Sequence, residues 1–388
     1  MKIAVITSRF PYPLEKGDKL RLYFQLKYLS QRHEIILLSL AENPVSASSL
    51  KHLNSFCTSI HVFPIQKNKA RFNAVKAFFK KTPLEVGYFL DKKIKGQIKQ
   101  IIHSEKPDHI YCQLIRMSEY VRHLPYPKTI DFMDAFSLGM DRRAKNSSWW
   151  MKYFLNIDTH RLADYEAEIF HDFQNHSIIS AQDRNYLSFP EKEKIHVLPN
   201  GVDTNFFKPQ PHIEQKYDLA FIGNMGYYPN VQAVTFLGKK IIPKLLLKNQ
   251  KLKLLIAGAR PDPSVKNLAN KNIVVSGWVD DIRTAYASAK IFIAPIFFGR
   301  GQQNKILEAM AMGIPCITSD QVNKAIGAHP GESILIANDA ESCQEQISLL
   351  LENAELRNKL SENALHFIQN NFSWEKYGEQ LEHILCLK

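Results

Sequence analysis

Short, nearly continuous apolar runs alternating with helix-period segments constrain this chain more than any other feature. KIAVITS (Lys2 to Ser8) leads into the turn RFPYPLEKGD, then into LRLYFQLKYLSQR with helical spacing, then into a second apolar run, EIILLSL (Glu34 to Leu40). A strand that is apolar on both faces needs cover on both. Strand, helix, strand in this style therefore predicts a parallel, doubly wound α/β sheet. Strand-like runs recur at His109 to Leu114, Thr129 to Asp134, His176 to Ser180 and Ile195 to Asp203. The segment FFKPQPHIEQK (Phe206 to Lys216) has two prolines and no apolar periodicity, and reads as a linker. After it the pattern restarts at Asp218 to Gly223, Leu252 to Gly258, Asn272 to Val279, Ile291 to Ile296 and Pro315 to Asp320. The expected organisation is a first Rossmann-like domain over 1–207 and a second over 216–370, joined across the linker and facing a cleft.

Length agrees, since 388 residues suffice for two cores at roughly 100 to 200 residues per domain. Hydrophobic content of 45% and charged content of 23% fit a globular chain and exclude a disordered or fibrous one. The longest strictly apolar stretch, Ile291 to Phe298, falls far short of the roughly 20 residues that span a bilayer. The apolar run in MKIAVITSRFPYP is too short for the core of a signal peptide. The chain is expected in the cytoplasm, peripheral to the inner face of a membrane. Five cysteines, widely spaced and without a CxxC pair, speak against a disulfide framework or a structural zinc site, and read as buried thiols.

The net charge of +12 is concentrated towards the N-terminal half. Its densest part, Gln66 to Lys99, holds ten basic and two acidic residues with Phe72, Val75, Phe78 and Phe79 between them. A greasy helix face with a positive rim suits an anionic membrane surface, against the plainer reading of a solvated basic face over a core stripe. No motif of a nucleic-acid module is present, so no nucleic-acid partner is expected.

The candidate chemistry sits in GRGQQNKILEAMAMGIP, residues 299–315, directly after the strand IFIAPI. Ligands of doubly wound sheets bind beyond the carboxyl ends of the strands, which is where this stretch and the turn with Gly17 and Asp18 must lie. Neither contains GxGxxG, so the usual dinucleotide fingerprint is missing. Glycines at 299 and 301 admit a ligand to the main chain, and the first N–H groups of the following helix point at it. Arg300 adds a forked donor and Lys305 a point charge, together suited to a diphosphate. Glu308 would repel that anion and is better matched to a pair of sugar hydroxyls. The plain alternative is a glycine-capped loop with Lys305 and Glu308 on the helix surface.

LEAMAMGIPCITSD resembles the donor-site segment of the family 4 glycosyltransferases. VLPNGVDTNFFKP, FIGNMGYYPNVQAV and SGWVDDIRTAYASAKIFIAPI also match, in the expected order over nearly the whole chain. QLIRMSEYV and DFMDAFS are similar to a branch found in bacterial exopolysaccharide and surface-glycan gene clusters. The resemblance implies the two-domain GT-B fold, with a final helix, 373–388, returning to pack on the first domain. It implies a nucleotide-diphosphate sugar as donor, a glycan or lipid-linked acceptor, and transfer with retention and with no bound metal or other cofactor. It places donor contacts at Gly17, Asp18, Gly223, Asn224, Trp278, Val279, Gly301, Gln302, Gln303 and Asn304. The catalytic set is Arg300, Lys305, Glu308 and Asp134, and Gln113 and Arg116 face the sugar or the acceptor.

Two departures matter. The family carries two glutamates with seven residues between them; the second aligns with Glu308, and the first falls on Arg300. The basic pair that usually follows the FxG loop is replaced by MGYYP, so Arg300 stands where it could supply the missing charge. Two rival readings stand beside this one: a nucleotide-sugar epimerase of the same fold, and a catalytically degenerate membrane-associated scaffold, which the missing first glutamate supports best. Trp149 and Trp150 could touch a lipid-linked acceptor, although aromatic pairs at helical spacing are more commonly core. For Trp278, a core position and a position beside the nucleotide base are equally compatible with the sequence.

Overall fold

The computed structural model of the protein describes residues 1–145, 147–297 and 302–387. The chain divides into two compact units, Met1–Pro199 with Trp374–Lys388, and Asn200–Ser373. The boundary comes earlier than the sequence suggests, at Pro199 rather than 207. The reason is that residues after it pack within the second unit. The Val202 N–H donates to the Phe372 carbonyl at 2.9 Å. Phe207 meets the Tyr286 ring edge-on at 6.2 Å, and the Arg283 guanidinium lies 4.2 Å above the Phe206 ring.

In the first unit, seven strands run in the order β3-β2-β1-β4-β5-β6-β7. They are β1 (Lys2–Thr7), β2 (Glu34–Ala41), β3 (Ser59–Pro64), β4 (His109–Gln113), β5 (Lys128–Met133), β6 (Asn175–Ile178) and β7 (His196–Val197). Each pair is parallel. The central strands are buried throughout, as their unbroken apolar runs require. Strand β3, on the edge and only partly buried, is missing from the sequence-derived set, because SIHVFP is short and ends in proline. The run Ile195 to Asp203 yields only the two-residue β7, since its second half joins the other unit.

A buried polar network ties this sheet together. Arg21, from the helix Gly17–Leu29, pairs with Asp131 through Nε–Oδ2 at 2.6 Å and donates to the Leu198 carbonyl at 2.8 Å. Asp131 also accepts from Tyr111, Ser177 and the Met133 N–H. Both charges are fully buried, a state tolerated only when nearly every donor and acceptor is satisfied. The helix Trp374–Cys386 belongs to this unit: Trp374 stacks on Phe24 with ring centroids 4.7 Å apart, and Glu382 receives Arg32 at 2.7 Å.

The second unit repeats the plan with six parallel strands in the order β10-β9-β8-β11-β12-β13. These are β8 (Tyr217–Ile222), β9 (Leu254–Ala257), β10 (Ile273–Gly277), β11 (Ala289–Ala294), β12 (Cys316–Thr318) and β13 (Leu335–Ile336). The sequence offered no sign of β13, which is two residues long. Glycines crowd the carboxyl ends of neighbouring strands. A Cβ on Gly258, whose φ is +139°, would stand 1.7 Å from the Gly223 carbonyl oxygen, so only glycine fits there. Four cysteines are buried as expected, whereas Cys386 is exposed near the end of the last helix. No described helix is long and apolar enough to cross a membrane.

Candidate functional site

In the second unit, β11 leads through undescribed residues to the helix Asn304–Ala311, whose N-cap Gln303 makes no side-chain capping bond. Its first-turn N–H groups are the ones that an anion at a helix N-terminus uses. Lys305 and Glu308, three residues apart, emerge on one face of this helix. The lysine is not the mobile surface charge that the sequence suggests. Its Nζ donates to Asn230 Oδ1 and lies 5.0 Å above the Phe221 ring at the end of β8. Gly223 continues that strand end, where a Cβ would come within 3.4 Å of the same Nζ. Burial lowers the lysine to about 7, against the opposing pull of Glu308.

Glu308 is placed by Tyr286, whose hydroxyl donates to Oε2 at 2.7 Å. Its Oε1 has no hydrogen-bond partner among the described residues. Burial raises the carboxyl, while the Tyr286 hydroxyl and Lys305 oppose the rise. The Tyr286 hydroxyl is itself held well above its ordinary value by burial and by the adjacent carboxylate. The result is a half-sheltered ammonium and carboxylate one helical turn apart, each with hydrogen-bonding capacity left.

The other expected donor residues divide. Asn224 is exposed, and its side chain accepts from the Gly226 N–H at 3.0 Å while its carbonyl accepts from Asn230 Nδ2 at 2.9 Å. Asn230 therefore fastens the loop after β8 to Lys305, a part that no sequence pattern announced. Gln302 is engaged within the protein. Its Oε1 accepts from the Asn200 N–H at 2.7 Å and its Nε2 donates to the Asn200 carbonyl at 2.6 Å. Asn304 joins this clamp through Asn200 Nδ2 at 3.4 Å. These two amides hold the PNG turn at Asn200. Trp278 is exposed, which removes the core reading, and its indole N–H donates to Asp280 at 3.0 Å. It and Val279 follow β10, separated from the Lys305 site by β9. Arg300 and Gly301 lie outside the described residues.

The first unit gathers its candidates at the carboxyl ends of β1, β4 and β5. Gly17 opens the helix Gly17–Leu29, and Asp18 follows in its first turn with the Arg9 guanidinium at 2.6 Å. Arg9 was not singled out by the sequence; because Asp18 is a carboxylate, its direct effect is to hold that cation and not a phosphate. Gln113 is buried, accepts from Thr7 Oγ1 at 2.7 Å and donates to the Asp18 carbonyl at 2.8 Å. Arg116 is only 5% exposed and sandwiched between the Phe89 and Phe136 rings at 4.8 and 5.1 Å. Its partner is Glu85 at 3.3 Å, and its Nε and Nη1 make no hydrogen bond. Burial lowers this guanidinium despite that carboxylate. Asp134 reaches solvent yet is densely surrounded. It is raised to about 7, first by burial and then by Asp183, with Arg21 opposing.

Comparison with known proteins finds similarity at the level of family and fold. The family described as Glycosyl transferases group 1 matches residues 216–353, the span that contains Gly223, Trp278, Lys305 and Glu308. An uncharacterised 44.6 kDa protein of the cps region of Klebsiella pneumoniae is 24% identical over 397 residues, covering 97% of each chain. The Escherichia coli UDP-Gal:alpha-D-GlcNAc-diphosphoundecaprenol alpha-1,3-galactosyltransferase is 24% identical over 209 residues, 49% of this chain and 54% of its own. Among solved structures, Anabaena HepE in complex with UDP and glucose superimposes with a TM-score of 0.71 at 14% identity, over 98% of both chains. The second unit thus resembles the group 1 glycosyltransferases over residues 216–353, the span that includes Lys305 and Glu308, and the chain as a whole shares the two-unit GT-B fold of the solved structures.

Proposed function

We propose that the chain moves a sugar from a nucleotide-diphosphate sugar to a glycan or lipid-linked acceptor in surface polysaccharide or glycoconjugate synthesis, with retention and without a bound metal. The observation that carries this reading is the Lys305 and Glu308 pair at the mouth of β8 and β11. The lysine, restrained by Asn230 beside Gly223, neutralises the diphosphate together with the helix N-terminus as the leaving group gains charge. Oε1 of Glu308 accepts from sugar hydroxyls, with Oε2 fixed by Tyr286. Preorganised charge of this kind needs no rearrangement at the moment of reaction, which is why removing one such donor typically costs about 100- to 1,000-fold in rate. Support for the donor class comes from the UDP and glucose bound in the Anabaena structure. Support for a lipid-linked acceptor comes from the name of the Escherichia coli relative. Retention rests on the family resemblance.

In this reading Arg300 reinforces the diphosphate site in place of the family's first glutamate, Trp278 and Val279 flank the base, and Asp134 and Arg116 face the acceptor. Lys305→Ala and Glu308→Ala are each expected to lower transfer at least about a hundredfold with the circular dichroism spectrum unchanged. Near-wild-type turnover of both variants removes the assignment. Arg300→Ala with unaltered donor affinity removes the role given to arginine, and loss of transfer in EDTA removes metal independence. Product analysis with and without acceptor separates the rivals: an epimerase converts the donor alone, and a degenerate scaffold neither hydrolyses nor transfers.

A further inference from the structure

The helix Lys67–Phe79 is built inside out. It faces the protein with small residues, Ala70 and Ala77, and the packing is close enough that a Cβ on Gly87 of the neighbouring helix Leu84–Phe89 would lie 2.2 Å from the Ala77 Cβ. Its large side chains point outward: Phe72, Val75 and Phe79, at i, i+3 and i+7, are 68%, 56% and 82% exposed. A helix that existed only to cover a core would have the opposite distribution.

A second helix continues the surface. Trp149–Phe170 shows Trp149, Trp150, Tyr153 and Phe154 in its opening turns, with Trp149 85% exposed. For Trp149 and Trp150 the sequence left a core position and an acceptor contact open, with core the commoner case, and the structure places both in solvent. Phe78 joins the two helices, its ring 6.1 Å from that of Phe154 and 4.4 Å below the Arg161 guanidinium. Apart from Met1, every exposed large apolar residue described in the first unit lies on these two helices. Around them, residues 67–81 contribute six Lys or Arg and no acid, and Lys152 stands among the aromatics.

We infer that this face docks on an anionic lipid bilayer, with Phe72, Phe79, Trp149 and Trp150 entering the headgroup layer and the lysines meeting lipid phosphates. The charge selects this occupant. A second copy of the chain would bring the same positive rim against itself, and a neutral glycan would use the aromatic rings but not the lysines. Tryptophan and tyrosine settle at membrane interfaces because one end is apolar and the other wet. The apolar contact and the charge act together, as interfacial anchoring requires. Membrane contact through this surface does not depend on which donor or acceptor is used.

The test is flotation of the full chain with vesicles of neutral phosphatidylcholine or of phosphatidylcholine with phosphatidylglycerol. Wild type should float with the anionic vesicles and be released as salt rises, because a Debye length of about 8 Å at physiological ionic strength shortens further. Trp149→Ser with Trp150→Ser, and separately Lys76→Glu with Lys80→Glu and Lys81→Glu, should each weaken flotation about tenfold or more. Hydrolysis of the donor in solution should be unchanged in all, which also reports that the variants fold. Equal flotation of wild type and variants overturns the proposal. So does a variant that floats normally but loses self-association, or one that loses only transfer to a water-soluble acceptor. Loss of donor turnover in wild type would instead count against the glycosyltransferase reading and leave flotation as an independent result.

Discussion

Lys305 shows how one residue changes character between sequence and structure. As a letter three positions before Glu308 it is a cation on a helix; in the fold it is a sheltered amine that titrates near 7. Because its value is depressed from 10.5, the unfolded chain binds the extra proton between about 7 and 10.5. Stability therefore rises with pH across that window, and the cost of burying the ammonium is complete below it. In the proposed role Lys305 holds the diphosphate in its protonated form, so affinity for the nucleoside diphosphate it binds should be highest below pH 7. It should weaken by up to about tenfold per unit above, since one proton is taken up on binding. Calorimetric titration between pH 6 and 9 checks this, and Lys305→Arg, charged throughout, should flatten the profile. A slope that survives in the arginine variant assigns the titration elsewhere. The lysine and the glutamate were legible because helical spacing alone puts them on one face. Asn230, Tyr286 and Asn200 were not, since each arrives from an element far away in sequence, and nothing local distinguishes them from loop or core residues.

Among the elements, glycines within helices make the contrast measurable. Gly378 in Trp374–Cys386 lies against Tyr28, where a Cβ would sit 2.2 Å from the ring. Gly96 in Lys92–Glu105 has nothing within 4 Å of the same position. Alanine gains about 1 kcal/mol over glycine in a helix interior, whereas overpacking a close contact costs about 1–3 kcal/mol. Gly96→Ala should therefore stabilise by about 0.5–1 kcal/mol, and Gly378→Ala should destabilise the first unit despite the better propensity. Urea titrations of both variants read the difference directly. Equal shifts of one sign would mean that the last helix can retreat from Tyr28 without cost. The same lesson applies to Lys67–Phe79. Its aromatics read equally well as core or as surface, because amphipathic periodicity identifies an apolar face without saying what stands opposite it.

For the whole molecule, two cores and a terminal helix that returns to the first unit predict separable responses. On the proposed donor site, a nucleoside diphosphate that binds there should raise the transition of Asn200–Ser373 in scanning calorimetry, by about 2.7 kcal/mol at a hundred times its dissociation constant, because that unit holds the Lys305 site. Ending the chain after Ser373 removes Trp374 from Phe24 and Glu382 from Arg32, and should lower the transition of Met1–Pro199. A nucleotide shift confined to the first unit would contradict the site. The parallel α/β class, eleven of the thirteen strands among the described residues and the place of Lys305 and Glu308 after β11 are all written in local periodicity, because strand burial and helix spacing are properties of neighbouring residues. The boundary at Pro199, the use of Gln302 and Gln113 as internal fasteners and the outward turn of Phe79 and Trp149 depend on which distant groups meet. Burial and hydrogen-bond partnership are relations between segments, and packing is what sets them.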